Sequence, residues 1–292
     1  PFALRPLPNL SWGARRHALC GSIPMASVNA RFSGSVPASY DRFLVPLLFQ
    51  PYADLMAQHA AAFAPRRILE TAAGTGVVTQ ALATAIPASE ITATDLNQAM
   101  LDVAAKRVTS RQVTFRQCDA LDLPFADSSF DLVVCQFGVM FYPDRVRGNS
   151  QARRVLVDGG RLIMAVWDEL DRNPMSALTQ QTLERRFPDN PPMFMKTGPF
   201  GYGDRNAIER DLRAAGFDQV SIETVELTSR SPAAEDAARG LCYGSPMRVE
   251  LEEHGPEALD SVFADLASDA RRFEGPDGFE APMSAHIVVA TR

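Results

Sequence analysis

A glycine loop at residues 70–76 is the part of the sequence whose composition most directly suggests chemistry. An apolar run ends at Glu70, and the small residues TAAGTG then lead into a helix-like pattern. A loop of this kind after a strand lets a ligand approach the backbone at the carboxyl end of a parallel sheet. Gly74 and Gly76 supply two glycines of the dinucleotide pattern G-x-G-x-x-G, but Thr79 stands in place of the third. No Walker-type lysine follows the loop, so a pyrophosphate ligand is disfavoured.

A second candidate group is the carboxylate of Asp95, at the end of the predicted strand EITATD. In a doubly wound sheet this position lies beside the glycine loop, where a carboxylate can accept hydrogen bonds from both hydroxyls of an unphosphorylated ribose. The alternative is an acid that interacts only with the dipole of the following helix. The combination of Asp95 with the loop favours ribose binding.

Predicted strands and helices alternate along about 100 residues of the chain. These elements could position the glycine loop and Asp95. The predicted strands are near-continuous apolar runs, typical of strands covered on both faces. They predict an α/β fold with a doubly wound, mostly parallel sheet. The strand segments are ILE, EITATDL, VTFRQCDA, FDLVVCQFGVMF and RLIMAVW, and later DQVSIETVEL and AHIVVATR.

The overall composition excludes several classes of partner. The 292 residues carry a formal net charge of -6, which argues against a nucleic-acid partner because such proteins need a basic face. The cysteines and histidines are scattered without metal-ligand spacing, so no metal site is predicted. No apolar run approaches the roughly 20 residues of a membrane helix. Unpaired cysteines favour a reducing compartment, and we expect a cytoplasmic protein. The sequence makes no prediction about oligomeric state.

Four motifs in order, within residues 38–170, resemble those of class I S-adenosylmethionine-dependent methyltransferases. Within that family, the sequence resembles the broad small-molecule group that includes the ubiquinone and menaquinone C-methyltransferases. The segment from Glu70 to Gly76 resembles the family's acid-x-Gly-x-Gly-x-Gly motif, with Ala72 in place of the first glycine. Asp95 matches the acid that ends the second strand. CDALDLPFADSSFDLVVCQFGVMFYPD and ARRVLVDGGRLIMAVW resemble the motifs that follow.

The resemblance implies a set of cofactor-binding positions. Met100 falls where the family packs a side chain on the adenine, and Asp119 matches the acid that meets the adenine amino group. Gln136 and Phe137 match positions that face the methionine part and the methyl group, and Tyr40 matches a position that closes over the cofactor. The full set is Tyr40, Glu70, Ala72, Gly74, Gly76, Asp95, Leu96, Met100, Asp119, Ala120, Gln136 and Phe137.

The implied cofactor is S-adenosyl-L-methionine, which carries no phosphate and therefore needs no third glycine. The implied fold is Rossmann-like, with a seven-stranded, mostly parallel sheet, an antiparallel last strand and helical cap insertions. Residues 1–24 are predicted to be a poorly ordered N-terminal extension, and 25–292 the methyltransferase domain. Within the domain, 38–170 would be the cofactor-binding core, and 171–203 and 230–283 the cap and substrate insertions.

The predicted function is methyl transfer from this cofactor to a small organic molecule. The acceptor could be apolar or aromatic, because Met193, Phe194, Met195 and Phe200 cluster in the first insertion and such side chains suit an apolar pocket. One alternative is an NAD-binding Rossmann oxidoreductase, which the residue Thr79 disfavours. Another is a protein that binds S-adenosylmethionine without catalysis.

No catalytic residue is assigned from the sequence. Methyl transfer needs a general base only when the nucleophile carries a proton of high pKa. The candidates for such a base are Tyr142, Tyr202, Tyr243 and His254, each of which could equally be structural.

Overall fold

The computed structural model describes residues 36–292. The predicted N-terminal extension, residues 1–24, lies outside the described residues. One mixed sheet of eight strands organises the described part of the chain. The strands are β1 (Arg67–Glu70), β2 (Glu90–Asp95), β3 (Val113–Gln117), β4 (Phe130–Gln136), β5 (Leu156–Trp167), β6 (Gln219–Ser231), β7 (Glu274–Gly275) and β8 (Gly278–Thr291).

Seven of the strands form a continuous path in the order β3-β2-β1-β4-β5-β8-β6. The first five strands of this path, β3, β2, β1, β4 and β5, are all parallel to one another. Strand β8 enters between β5 and β6 and is antiparallel to both. The predicted seven-stranded, mostly parallel sheet with an antiparallel last strand is therefore confirmed. The short β7 pairs only with β8 and was not predicted.

The centre of the sheet is covered on both faces. In β4, the consecutive residues Leu132, Val133 and Val134 are all fully buried although their side chains point to alternate faces. Their burial requires helices on both sides, which is the doubly wound arrangement that the apolar runs predict. The helices are α1 (Val36–Ser39), α2 (Gln50–Ala61), α3 (Val77–Ala85), α4 (Gln98–Arg107), α5 (Arg145–Val155), α6 (Pro174–Arg186), α7 (Phe194–Thr197), α8 (Arg205–Ala214), α9 (Ala234–Tyr243), α10 (Met247–Glu253) and α11 (Ala258–Ala270).

The first helices form one continuous helical segment that contains a π-helix at Tyr40–Phe49. The sequence predicts a break or kink at Pro46 and at Pro51, but the helical segment continues through both. Pro51 sits in the first turn of α2, where the missing N–H is tolerated. Pro46 lies inside the π-helix, and the amide of Gln50 bonds five residues back to the carbonyl of Val45. The helical segment thus continues past Pro46 in the wider turn of a π-helix.

A second hydrophobic cluster lies beside the main core. It joins the π-helix to α6, α7, α9, α10 and α11, which come from the two late segments of the chain. Glycines let α9 and the π-helix approach closely. A Cβ on Gly240 would lie 3.1 Å from the Cβ of Phe43, and one on Gly244 would lie 3.1 Å from the amide nitrogen of Tyr40. These contacts hold the π-helix against the C-terminal helices.

Among the boundaries that differ from the sequence prediction is the end of a helix. The pattern SQARRVLVDGG predicts a helix closed by Gly159 and Gly160, but the helix ends at Val155, and Leu156 already begins β5. Leu156 pairs with Phe130, and the register then shifts before Leu132 pairs with Arg161. The two glycines at 159 and 160 thus lie in an irregular part of a strand and do not cap the helix.

The packing of Gly76 generates a testable prediction. Gly76 has φ +79°, and a Cβ there would lie 2.8 Å from the Cβ of Ala104 in α4. Gly159 has φ +75°, but a Cβ there would meet nothing within 4 Å. The left-handed backbone should cost either alanine variant about 1–2 kcal/mol. Overpacking should add about 1–3 kcal/mol in Gly76→Ala alone.

Urea unfolding of Gly76→Ala, with Gly159→Ala as the matched control, measures this difference. Equal losses of unfolding free energy in the two variants would contradict the claim that the glycine loop and α4 are in tight contact.

Candidate functional site

The glycine loop follows β1, and three of its amides donate hydrogen bonds to other groups of the protein. The amide of Ala73 donates to the carbonyl of Thr94, and that of Gly76 to the carbonyl of Ala73. The amide of Gly74 donates to the carboxylate of Asp95 at 2.9 Å. Ala72 has φ +54°, an unusual backbone conformation for a residue other than glycine. The loop therefore has a strained backbone, and none of these three amides is left to bind a phosphate.

Asp95 ends β2 and joins the glycine loop to the start of α4. Its Oδ2 accepts from the amide of Gly74, and its Oδ1 accepts from the amide of Asn97 at 2.8 Å. Asn97 in turn caps α4, since its side chain accepts from the amide of Ala99. Burial raises the pKa of the Asp95 carboxyl, and the hydrogen bonds from Asn97 and Gly74 oppose that shift. Asp95 is thus a partly buried carboxylate in a fixed orientation.

Glu70 lies beneath the loop and contacts α3. Its Oε2 accepts a 2.6 Å hydrogen bond from the hydroxyl of Thr79, which is fully buried. Burial raises the pKa of the Glu70 carboxyl to about 8, while the hydrogen bond from Thr79 lowers it and the charge of Asp95 raises it further. Thr79 occupies the position where a dinucleotide fold needs a glycine for close helix–strand packing. This position is therefore occupied by a polar contact within the protein.

The end of β4 forms the opposite side of the site. Gln136 ends the strand, and Phe137 follows with φ +52°. A Cβ on Gly138 would lie 2.4 Å from the Cβ of Ala72, so the loops after β1 and β4 touch directly. Two strained non-glycine residues at adjacent strand ends are typical of a functional site. The Nε2 of Gln136 donates to the carbonyl of Phe49, and its buried Oε1 has no hydrogen-bond partner within residues 36–292.

A cavity opens where these loops meet, and most of the predicted site residues line it. Nine of the twelve belong to the lining: Tyr40, Ala72, Gly74, Asp95, Leu96, Met100, Ala120, Gln136 and Phe137. The other three, Glu70, Gly76 and Asp119, do not. Glu70 binds Thr79, Gly76 lets α3 approach α4, and Asp119 accepts a hydrogen bond from the amide of Leu121 at 2.8 Å. In the structure these three residues support the loops around the cavity.

Aromatic side chains form one wall of the cavity. The rings of Phe137 and Trp167 stack with centroids 3.9 Å apart and planes 6° apart. Phe49 packs against Phe137 at 5.8 Å and stacks on Tyr40 at 5.1 Å, and Phe200 lies 6.0 Å from Trp167. These rings come from the loop after β4, from β5, from the π-helix and from the segment after α7. The wall therefore joins the cofactor loops to the later insertions.

Of the four candidate bases, only Tyr142 lines the cavity. Its hydroxyl donates to Thr71 at 3.3 Å, and burial raises its pKa well above the usual value. Tyr202 donates to Asp211, Tyr243 donates to Asp260, and His254 packs its ring on Phe187. These three side chains have structural partners away from the cavity.

Further lining residues were not predicted from the sequence. Trp167 ends β5 and was recognisable only as a large aromatic residue at a strand end. Most of the others come from the π-helix and the two late insertions, whose position depends on long-range packing, and Phe141 lies in the short helix after β4. They include Leu44, Leu48, Phe49, Phe141, Ser176, Pro199, Leu241, Ser245 and Pro246, together with Cys118 and Asn97 in the core.

Within residues 36–292, no group of three or more His, Cys, Asp or Glu side chains is placed to hold a metal ion. In the same range, no helix is long and apolar enough to cross a membrane.

Comparison with known proteins identifies the domain type. Residues 69–164 match the family model described as a methyltransferase domain. The demethylmenaquinone methyltransferase of Deinococcus radiodurans is 40% identical over 110 residues, which cover 37% of this chain and 46% of that protein. The corresponding protein of Thermobifida fusca is 30% identical over 112 residues, covering 35% and 48%. The matched region thus spans about half the length of these relatives.

Solved structures share the fold over most of the chain. Phosphoethanolamine N-methyltransferase 2 of Haemonchus contortus, in complex with S-adenosyl-L-methionine, has a TM-score of 0.57 at 18% identity, covering 90% of this chain and 58% of that one. The YcgJ protein of Bacillus subtilis has a TM-score of 0.55 at 18% identity, covering 83% and 98%. The cyclase SpnF has a TM-score of 0.52 at 21% identity, covering 83% and 81%.

The fold and the family match agree with the class that the sequence predicts. Residues 69–164 are similar to a methyltransferase domain. The match includes the glycine loop, Asp95 and the end of β4, and it ends before the insertions that complete the cavity.

Glu70 generates a prediction about pH. Its carboxyl is buried with a pKa of about 8, whereas the ordinary value is 4.5. The folded state therefore holds a proton that the unfolded chain releases above its ordinary pKa. Stability should be full at low pH and should fall by up to about 1.4 kcal/mol per pH unit as pH rises from about 5 to about 8.

Glu70→Gln keeps an acceptor for Thr79 and removes the titration, so its unfolding free energy should lack this component of the pH dependence. Urea unfolding of both proteins across that range provides the measurement. Parallel pH profiles of wild type and variant would contradict the assignment.

Proposed function

We propose that this protein transfers the methyl group of S-adenosyl-L-methionine to a small organic molecule. The observation that carries the proposal is the carboxylate of Asp95. It is fixed by the amides of Gly74 and Asn97 and lines the same cavity as the glycine loop. A carboxylate in this place suits the two hydroxyls of a ribose that bears no phosphate.

The chemistry of the lining fits this cofactor. The amides of Ala73, Gly74 and Gly76 are used within the protein, which a ligand without phosphate tolerates. The buried Oε1 of Gln136 has no partner among the described residues and can accept a hydrogen bond from an ammonium group. Met100 and Leu96 offer apolar surface for an adenine. We assign the twelve predicted site residues to this cofactor, nine by contact and three by support of its loops.

S-adenosylmethionine supplies a methyl group on a positively charged sulfur, which is a good leaving group. The protein must orient the acceptor in line with that methyl group and exclude water. The aromatic wall of Phe49, Phe137, Trp167 and Phe200 is suited to both tasks, because it is apolar and its rings are held by mutual packing.

The acceptor we propose is apolar or aromatic. The part of the lining contributed by the π-helix and the insertions is mostly apolar, with Leu44, Phe194, Met195 and Leu241 among its residues. Such a surface binds a molecule of low polarity and penalises a charged one. We accordingly propose that residues 38–170 form the cofactor-binding core and that 171–203 and 230–283 cap the acceptor. A cytoplasmic location and the absence of a nucleic-acid partner stay predictions.

An NAD-dependent oxidoreductase is the less favoured reading. Thr79 fills the position of the third glycine and binds Glu70, and the amide of Gly76 is bonded to Ala73. A bound pyrophosphate would thus lack the close packing of the helix against the strand, and the Gly76 amide would not be free to donate a hydrogen bond to it.

Calorimetric titration with S-adenosylmethionine, S-adenosylhomocysteine and NAD tests the proposal. We expect the first two to bind and NAD not to bind. Binding of NAD alone would overturn the proposal. Binding of the first two, with no methyl transfer to any of a panel of neutral aromatic acceptors, would favour a protein that binds the cofactor without catalysis.

Asp95→Asn should weaken S-adenosylhomocysteine binding. The variant keeps the size of the side chain but loses the charge that strengthens its hydrogen bonds. We expect a loss of about 1.5–3 kcal/mol, roughly ten- to hundred-fold in Kd, measured by calorimetry.

Asp131→Asn is the matched control. The Oδ2 of Asp131 accepts hydrogen bonds from the amides of Arg66 and Arg67, both at 2.8 Å, and Asp131 does not line the cavity. Its substitution should affect stability but leave the Kd unchanged. An unchanged Kd in Asp95→Asn would remove the ribose assignment.

A further inference from the structure

His286 is a buried histidine that the site described above does not use. It lies in β8, opposite Val166 of β5 and Thr224 of β6, and is only 2% exposed. It does not line the cavity. A buried imidazole costs free energy unless its polar ring atoms have partners, so the contacts of its two nitrogens show what the ring does.

The ring of His286 is fixed from two sides. Its Nε2 lies 2.9 Å from the carbonyl oxygen of Gly203 and 3.2 Å from Oδ1 of Asp168. A carbonyl and an ionised carboxylate only accept hydrogen bonds, so Nε2 carries a proton and donates. The Nδ1 lies 3.0 Å from the hydroxyl of Thr224, which can donate or accept.

Asp168 belongs to the end of the sheet and is itself held in place. It follows Trp167, the last residue of β5. Its Oδ2 accepts a hydrogen bond from the hydroxyl of Ser284 in β8, and its Oδ1 accepts one from the amide of Glu169, both at 2.8 Å. The carboxylate therefore gives the imidazole a fixed partner directly beside the aromatic wall.

Gly203 belongs to a separate segment, residues 198–204, which connects α7 to α8 without a helix or strand of its own. The amide of Phe200 donates to the carbonyl of Met195, and the hydroxyl of Tyr202 donates to Asp211 of α8. Those bonds hold the segment to its neighbours along the chain. The bond from His286 instead joins it to the sheet.

The contact at Gly203 is close enough to set the position of the whole segment. A Cβ on Gly203 would lie 3.0 Å from the carbonyl carbon of Asp168 and 3.0 Å from the amide nitrogen of Glu169. Three residues earlier, Phe200 lines the cavity, and its ring lies 6.0 Å from that of Trp167. The distance of Phe200 from Trp167 thus depends on how Gly203 is held.

We propose that His286 is a positioning residue of the methyl-transfer site, which keeps Phe200 over Trp167 by holding the carbonyl of Gly203. The inference rests on the proposed function and adds to its site a residue that touches neither cofactor nor acceptor. Trp167 stacks on Phe137, which matches the position that faces the methyl group. Methyl transfer requires an aligned acceptor and the exclusion of water. His286 serves both needs through Phe200.

Acrylamide quenching of Trp167 fluorescence tests the inference in the full chain. The chain has two tryptophans, so Trp12→Phe leaves Trp167 as the only one. Trp167 is 4% exposed, and we expect weak quenching in this background. His286→Leu removes the donor to Gly203 and should raise the quenching constant several-fold. The Kd for S-adenosylhomocysteine should stay unchanged, because Asp95 and the glycine loop lie at the ends of β2 and β1.

A rescue variant and a matched control separate positioning from general stability. His286→Gln keeps a side-chain N–H that can donate to Gly203, so it should return the quenching towards that of the background protein. Ser229 is 1% exposed and joins the same two strands, β6 and β8, by donating to the carbonyl of Ala281 at 2.9 Å. Ser229→Ala should lower the free energy of unfolding but leave the quenching unchanged.

Gly203→Ala perturbs the same contact from the other side and keeps the histidine. Its Cβ would meet the backbone at Asp168, so the segment must move away and quenching should rise as in His286→Leu. If His286→Leu does not unfold cooperatively, Gly203→Ala carries the test.

Unchanged quenching in the folded His286→Leu and Gly203→Ala proteins would overturn the inference. So would an equal rise in Ser229→Ala, since any weakened contact between β6 and β8 would then expose the tryptophan. Quenching in His286→Gln as strong as in His286→Leu would also overturn it. Failure of wild type to bind S-adenosylhomocysteine would instead remove the proposed function, while the effect of His286 on Trp167 would still be measured.

Discussion

The site depends on one carboxylate. Asp95 accepts one hydrogen bond from the amide of Gly74, in the loop after β1, and another from the amide of Asn97, at the start of α4. These bonds join two loops that neighbouring parallel strands bring to the same sheet edge. Burial raises the pKa of this carboxyl and the two amides oppose that shift, so the same bonds orient the carboxylate and favour its charged form. The positions of the glycine loop and of α4 both follow from this contact.

Much of the core could be predicted from the sequence because its signals are local. The apolar runs fix the strands, and the order of short motifs fixes which strand ends meet. The roles of individual residues were less accessible. Gly76 allows α3 to pack closely against α4, and Asp119 accepts a hydrogen bond from the amide of Leu121. A motif gives a residue's place along the chain, but the direction of its side chain depends on the neighbours that pack against it.

The cap was the part that the sequence could not place. The π-helix runs through Pro46, and no local pattern indicates such a turn. Asn173 is a second such case, because it stands at the start of α6 but binds Ser284 instead of capping the helix. Both features result from contacts between residues far apart in sequence, such as the 111 positions between Asn173 and Ser284.

The central position of β8 has a consequence for synthesis of the chain on the ribosome. Strands β5 and β6 do not pair with each other. Strand β5 pairs with β4, whereas β6 joins the sheet through β8, which is made later than both. While β8 is still inside the ribosome, β5 is an uncovered edge strand and β6 has no sheet to join. Uncovered edges of this kind promote association with other chains. The nascent protein can thus assemble its cofactor loops early, but its sheet closes only after β8 has emerged.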